Sequence, residues 1–147
     1  QFLFCNANIS LEGWLSTLQK GKLQRVSIQF PDPWFKRRHW KRRVFQPSLI
    51  ASLLKAMPLS SELFLQSDLL QVIEPMAKLV EFSNGFTPIE SSGLTWLETN
   101  PLPVVTERER YVHDRGLPIY RLLYRRNTNV PLDLSTLEEK WQMVHDS

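Results

Sequence analysis

The densest chemistry in the chain lies in one unbroken run, Phe30-Pro31-Asp32-Pro33-Trp34-Phe35-Lys36-Arg37-Arg38-His39-Trp40-Lys41-Arg42-Arg43. Two prolines flank Asp32. A proline ring fixes its own φ and restrains the residue before it, so this carboxylate is presented with little conformational freedom. Trp34 offers a flat aromatic face beside it. A rigid acid next to an aromatic ring suits a nucleobase, whose face stacks and whose edge donates hydrogen bonds. The same residues would also write a proline-rich turn over a buried tryptophan, and it is the adjoining cations that favour the nucleobase reading.

Those cations are concentrated. Lys36, Arg37, Arg38, Lys41, Arg42 and Arg43 fall within eight positions, whereas the formal charge of the 147-residue chain is only +3. Of eighteen basic residues, the twelve outside this run face fifteen acidic ones, so the basicity is a local device. A cluster of this kind is the electrostatic footprint of phosphate contacts, whose attraction is strong and salt-sensitive. A solvated, positively charged loop or helix face is the other use of such a run.

The elements that must position these residues alternate. Phe2 to Cys5 reads as a short buried strand, and the chain starts as though inside a fold. Ser10 is a plausible N-cap for a helix carrying Leu11, Trp14, Leu15 and Leu18, stopped by Lys20-Gly21. Arg25 to Phe30 alternates Val26, Ile28 and Phe30 as a second strand and ends at the prolines. Pro47 opens a helix with the stripe Leu49, Ile50, Leu53, Leu54 and Met57, closed by Pro58. Leu63, Leu65 and Ser67 mark a third strand. Asp68 is a candidate cap for the helix that follows to Asn84-Gly85, kinked or broken at Pro75. Phe86 to Glu90 reads as a short strand, Ser91 to Pro103 as a loop, and Ile119 to Tyr124 as a last strand.

Repeated strand-helix units predict an α/β fold with a mostly parallel sheet and a late antiparallel strand at or near an edge. Ligands collect at the carboxyl ends of the strands in such sheets. That rule gathers Asn6, Asp32 and Asp68, each following a strand. Residues 1–126 are expected to form this domain, and 127–147 a linker and a helix opened by the capping box Ser135-x-x-Glu138, with Leu137, Trp141 and Val144 apolar. No stretch of eighteen apolar residues occurs, so no membrane partner is expected. The single cysteine, Cys5, excludes an internal disulfide and a Cys-rich metal site; a reducing, cytoplasmic setting and no metal are expected.

The run Phe30 to Arg43 resembles the hallmark of the bacterial TrmB-type tRNA (guanine-N7)-methyltransferases, Phe-Pro-Asp-Pro-Trp-x-Lys followed by x-Arg-His-x-Lys-Arg-Arg. Cys5-Asn6-Ala7, Gln66-Ser67-Asp68 and Thr106-Glu107-Arg108-Glu109 are similar to three further family segments, in the family's order and at compatible spacing, over about residues 1 to 126. The resemblance implies the C-terminal part of a Rossmann-like class I methyltransferase fold. It implies a reaction moving a methyl from S-adenosyl-L-methionine to N7 of a variable-loop guanine in tRNA. In that frame Asn6 contacts the adenosine of the methyl donor, and Asp32 lies at the reaction centre against both cofactor and base. Lys36, Asp68, Thr106, Glu107, Arg108 and Glu109 bind the guanosine. Arg38, His39, Trp40, Lys41, Arg42 and Arg43 meet the tRNA backbone. The bland uses of the same residues are helix caps at Asn6, Asp68 and Thr106 and an exposed polar surface at His39.

Guanine N7 has an in-plane lone pair and no proton, so the implied reaction needs no strong general base, and positioning does most of the work. A fixed carboxylate at Asp32 or Glu109 would stabilise the positive charge that develops on the purine. The family's upstream strand, glycine-rich turn and acidic cofactor ligands are missing from this sequence. An N-terminally truncated chain is therefore expected, one that alone binds the methyl donor poorly. The oligomeric state, monomer or homodimer, is left open. A non-catalytic RNA-binding module would use the same basic run, but it has no reason to keep acids or amides at successive strand ends.

Overall fold

The computed structural model describes residues 4–89 and 96–146. The strand expected at Phe2–Cys5 falls largely outside them, and its described end, Phe4 and Cys5, is exposed and in no strand. Helix α1 spans Ala7–Ser16 and begins one turn earlier than Ser10. Its cap is Asn6, whose Oδ1 accepts from the Asn8 amide at 3.0 Å and satisfies one of the first turn's unpaired donors. It ends at Ser16, before Lys20-Gly21, because the Ser16 and Thr17 hydroxyls bond back to the carbonyls of Gly13 and Trp14.

Strand β1 is Arg25–Gln29, α2 is Pro47–Ala56 and β2 is Glu62–Ser67, close to the alternation read from sequence. Between β1 and α2 the basic run folds into a 3-10 helix, Arg37–Arg42. Helix α3, Leu70–Phe82, runs unbroken through Pro75, so the proline does not end it. The carbonyl that loses its partner belongs to Gln71, an exposed residue in the first turn, where solvent can compensate the lost hydrogen bond. Strand β3 is Phe86–Pro88, helix α4 Glu107–Asp114, strand β4 Tyr120–Arg126 and helix α5 Leu134–Asp146. The cap of α5 is Asp133, which accepts from the Thr136 amide and hydroxyl at 3.0 and 2.9 Å; Ser135 lies inside the helix. An aspartate two residues earlier outcompetes the serine of the expected capping box.

The sheet order is β1-β2-β4-β3. β1 and β2 are parallel, with Val26 opposite Leu63 and Ile28 opposite Leu65. β4 runs antiparallel to both β2 and β3, so three strands point one way and one returns between them. β4 is thus interior and β3 takes the edge. Its residues explain this: Arg121, Leu122 and Tyr124 are all buried, which requires cover on both faces.

The two faces carry different chemistry. Leu63 and Leu65 stand opposite Tyr124 and Leu122, and join Ile50, Leu53, Ile73, Leu79 and Val80 of α2 and α3 in one apolar core, each worth about 1.5–3 kcal/mol when fully buried. Leu137 and Trp141 of α5 pack into the same core. Gly85 is required at the end of α3, since a Cβ there would collide with the Leu54 side chain. On the opposite face Gln66 stands directly across from Arg121, and α4 covers them with Val112 and Glu109, both buried.

Candidate active site

The ladder between β1 and β2 extends to Phe30, whose amide donates to the Gln66 carbonyl at 2.7 Å. There the chain turns sharply. Phe30 and Trp34 both take left-handed backbone conformations, φ 48° and 42°, which cost non-glycine residues about 1–2 kcal/mol each. This strained bracket encloses Pro31-Asp32-Pro33. Arg43 Nε donates to the Pro33 carbonyl at 3.1 Å and ties the turn to the far end of the basic run. The Asp32 carboxylate is exposed, above a small cavity bordered by Phe45, Val72 and Met76.

Trp34 departs from the expectation of an open stacking face. The Arg42 guanidinium lies over its ring at 5.3 Å from the centroid, and His39 meets it edge-on at 5.6 Å. Trp40 is treated alike, with Arg43 at 5.0 Å and Arg37 at 5.8 Å. A run of like charges is held in a short helix because its guanidiniums rest on indole faces, each such contact contributing about 0.5–1 kcal/mol at exposed sites. Gln46 adds a brace, its Nε2 donating to the carbonyls of Trp40 and Arg43 at 2.8 and 3.1 Å. Partial burial lowers the Arg43 pKa, because desolvation disfavours the cation. Lys36, Arg37, Arg38, Lys41 and Arg42 remain exposed.

Asp68 follows β2 as Asp32 follows β1, so the pairing of these strands brings the two acids to one end of the sheet. Asp68 is not the cap of α3. Leu69 holds that position, and the Ser67 hydroxyl accepts the Leu69 amide at 3.1 Å. Asp68 instead takes the Arg108 guanidinium at 2.5 Å, which fastens the first turn of α4 to the end of β2. Thr106 caps α4, its Oγ1 accepting the Glu109 amide at 3.1 Å; Glu107 and Arg108 are exposed, and Glu109 is 4% exposed.

Glu109 is the centre of a network the sequence reading missed. Its Oε1 accepts from Arg121 at 2.8 Å, and its Oε2 accepts from Gln66 at 3.1 Å and Asn100 at 2.6 Å. Arg121 also donates to Gln66 Oε1 at 2.6 Å and to the Glu98 carbonyl at 2.8 Å, and Gln66 donates to Gln29 at 3.1 Å. Gln29, Gln66 and Arg121 thus join three strands to α4 and to the segment 96–100 beneath the strand ends. An arginine set between Tyr120 and Leu122, inside the apolar part of the strand, was the signal available. Asn6 caps α1, and Asn8 Nδ2 donates to the Arg43 carbonyl at 3.0 Å, joining that helix start to the basic run. The described residues also line a larger, open cleft of about 620 Å³ at the opposite end of β1 and β2, near Arg25, Ser60 and Glu62, away from these acids.

A family model described as "Putative methyltransferase" matches residues 2–122. A tRNA (guanine-N(7)-)-methyltransferase of Prochlorococcus marinus (strain MIT 9313) is 58% identical over 144 residues, 98% of this chain and 61% of the relative. Its counterpart in Parasynechococcus marenigrum (strain WH8102) is 59% identical over 140 residues, 95% of this chain and 59% of the relative. That of Synechococcus sp. (strain CC9311) is 55% identical over 146 residues, 99% of this chain and 62% of the relative. The chain therefore spans about three fifths of the length of the curated relatives it matches.

Proposed function

The chain belongs to the TrmB-type methyltransferase family, and from that premise we propose that it forms the catalytic and tRNA-facing portion of an enzyme that methylates guanine N7 in tRNA. The observation that carries the reading is the Asp68–Arg108 pair, which ties the Thr106–Glu109 turn to the end of β2, next to the strand that ends in Asp32. Asp32 and Asp68 follow neighbouring parallel strands at one end of the sheet, and the first turn of α4 is fastened there through Arg108, beside a braced cationic helix.

The residues fit a sulfonium methyl donor. Among the described residues Asn6 uses its Oδ1 to cap α1, and its amide N–H pair is suited to a ring nitrogen of an adenine. Asp32 is an exposed carboxylate at a strand end, where a hydroxyl or a cationic centre is well received. S-adenosyl-L-methionine, when bound, supplies a methyl on positively charged sulfur. Asn6 and Asp32 would hold it, together with groups from the rest of the protein.

The remaining chemistry belongs to the chain. Asp32 orients the purine and offsets the positive charge that grows on it as N7 is alkylated; it takes up no proton, since N7 carries none. Lys36, Asp68 and the Thr106–Glu109 turn grip the guanosine, Glu109 through the lone pair that Arg121 leaves on Oε1. Arg38 to Arg43 meet the phosphates. No helix among the described residues is long and apolar enough to cross a membrane, and a tRNA substrate is consistent with a cytoplasmic enzyme. Incubating the complete protein with methyl donor and tRNA transcripts, then mapping the product by N7-specific cleavage, tests this reading. One methylated guanine in the variable loop is expected, and a complete absence of N7-methylguanosine overturns it.

A further inference from the structure

A groove of about 260 Å³ separates the basic 3-10 helix from α5. Among the described residues its charged lining is cationic, comprising Arg37, Lys41 and Arg43. The facing wall is Trp141 and Gln142 of α5. Trp141 is buried and fixes the helix, while its neighbour Gln142 is exposed.

The cationic wall is organised in advance. Arg37 and Arg43 rest on the Trp40 ring, Arg43 Nε is spent on the Pro33 carbonyl, and Gln46 braces the backbone between them. An anion binding here therefore loses less freedom to order these side chains than it would against flexible surface lysines. The volume is below the range of about 300–1,000 Å³ usual for small-molecule pockets, and suits a stretch of ribose-phosphate better than a whole cofactor. An amide such as Gln142 both donates and accepts, matching a ribose hydroxyl beside a phosphate. Through the Arg43–Pro33 bond the groove is continuous with the turn that carries Asp32.

We propose that this groove binds a segment of the tRNA sugar-phosphate backbone, and that α5 is part of the RNA-binding surface through Gln142. The inference rests on the tRNA reading above and extends it to a helix that reading does not use. A strand of RNA leaving the methylated nucleotide passes between the cations of the 3-10 helix and the amide of α5.

The test compares charge placed on two faces of α5 in the complete protein, with tRNA affinity measured over a series of salt concentrations. Gln142→Glu puts a carboxylate in the groove. A loss of affinity of about 5–10-fold is expected at low salt, closing as ionic strength rises. Gln142→Lys is expected to tighten binding and to steepen the salt dependence by about one phosphate contact, a gain that no folding defect produces. Met143→Glu makes the same charge change on a residue that borders a different groove with Lys78 and Phe82, and should leave affinity within about two-fold. Wild-type affinity in both Gln142 variants, or equal loss in Gln142→Glu and Met143→Glu, overturns the proposal. Failure of the wild type to form N7-methylguanosine would instead strike the functional reading, and the contrast between the two faces would still decide the groove.

Discussion

Arg121 and Glu109 pair at 2.8 Å with side chains only 11% and 5% exposed, on strands and helices that no local sequence pattern connects. Removing one partner leaves the other charge without compensation in a water-poor place, which costs about 3–5 kcal/mol. Arg121→Met is therefore expected to lower the thermal midpoint sharply, while the double variant Arg121→Met, Glu109→Gln recovers much of the loss because neither charge remains. Thermal unfolding of the four proteins of this cycle provides the check, and additive losses would show that the two residues do not act as a pair.

The Asp68–Arg108 pair behaves differently, because Arg108 is 51% exposed and water screens it. Its contribution to stability should be no more than about 1 kcal/mol. Arg108→Ala is expected to leave the thermal midpoint nearly unchanged yet to reduce kcat/KM for tRNA by about tenfold, since it frees the turn that grips the guanosine. Parallel melting curves and steady-state kinetics separate these effects. A fall in stability as large as that of Arg121→Met would make the pair structural.

What was legible in sequence was whatever depends on neighbours. The alternation of Val26 and Ile28, the stripe from Leu49 to Leu54 and the Pro-Asp-Pro bracket all follow from periods of two or 3.6 and from fixed proline geometry. What escaped depends on register between distant segments. Gln66 and Arg121 meet only because β4 inserts beside β2, and nothing in either strand announces the other. Trp34 reads as an open face until Arg42 folds onto it. Two of the three cap errors share one cause: at the starts of α1 and α5 a competing side chain lay about a turn away, Asn6 before Ser10 and Asp133 before Ser135, and the choice is made by where the chain enters the helix.

Asp133 gives a pH-dependent expectation. Hydrogen bonds from the Thr136 amide and hydroxyl lower its pKa from the ordinary carboxylate value in the folded protein. A depressed carboxylate stabilises the fold above the unfolded value, and that stabilisation is lost as pH falls through the folded value. The melting temperature of Asp133→Ala should therefore lie below that of the wild type at neutral pH, with the gap narrowing as the pH falls through the range in which the carboxylate takes up its proton. Melting curves from pH 7 to pH 3 test this, and a gap that widens on acidification would contradict the cap assignment.

Asp32 offers the sharpest separation of chemistry from folding. Its carboxylate is exposed, so Asp32→Asn, which keeps the shape of the side chain, should leave the melting temperature unchanged. Its proposed work is electrostatic, opposing the charge that develops on the purine. By analogy with the loss of one preorganised stabilising group, kcat should fall by about 10²–10³-fold. Because no proton is removed from N7, Asp32→Glu, which retains the charge but displaces it, should recover only part of the rate. KM for tRNA should move little in either variant, since the phosphate contacts are made by the basic helix. Near-normal turnover of Asp32→Asn at saturating tRNA and methyl donor would remove Asp32 from the reaction centre and leave the Pro31–Pro33 bracket as a structural turn.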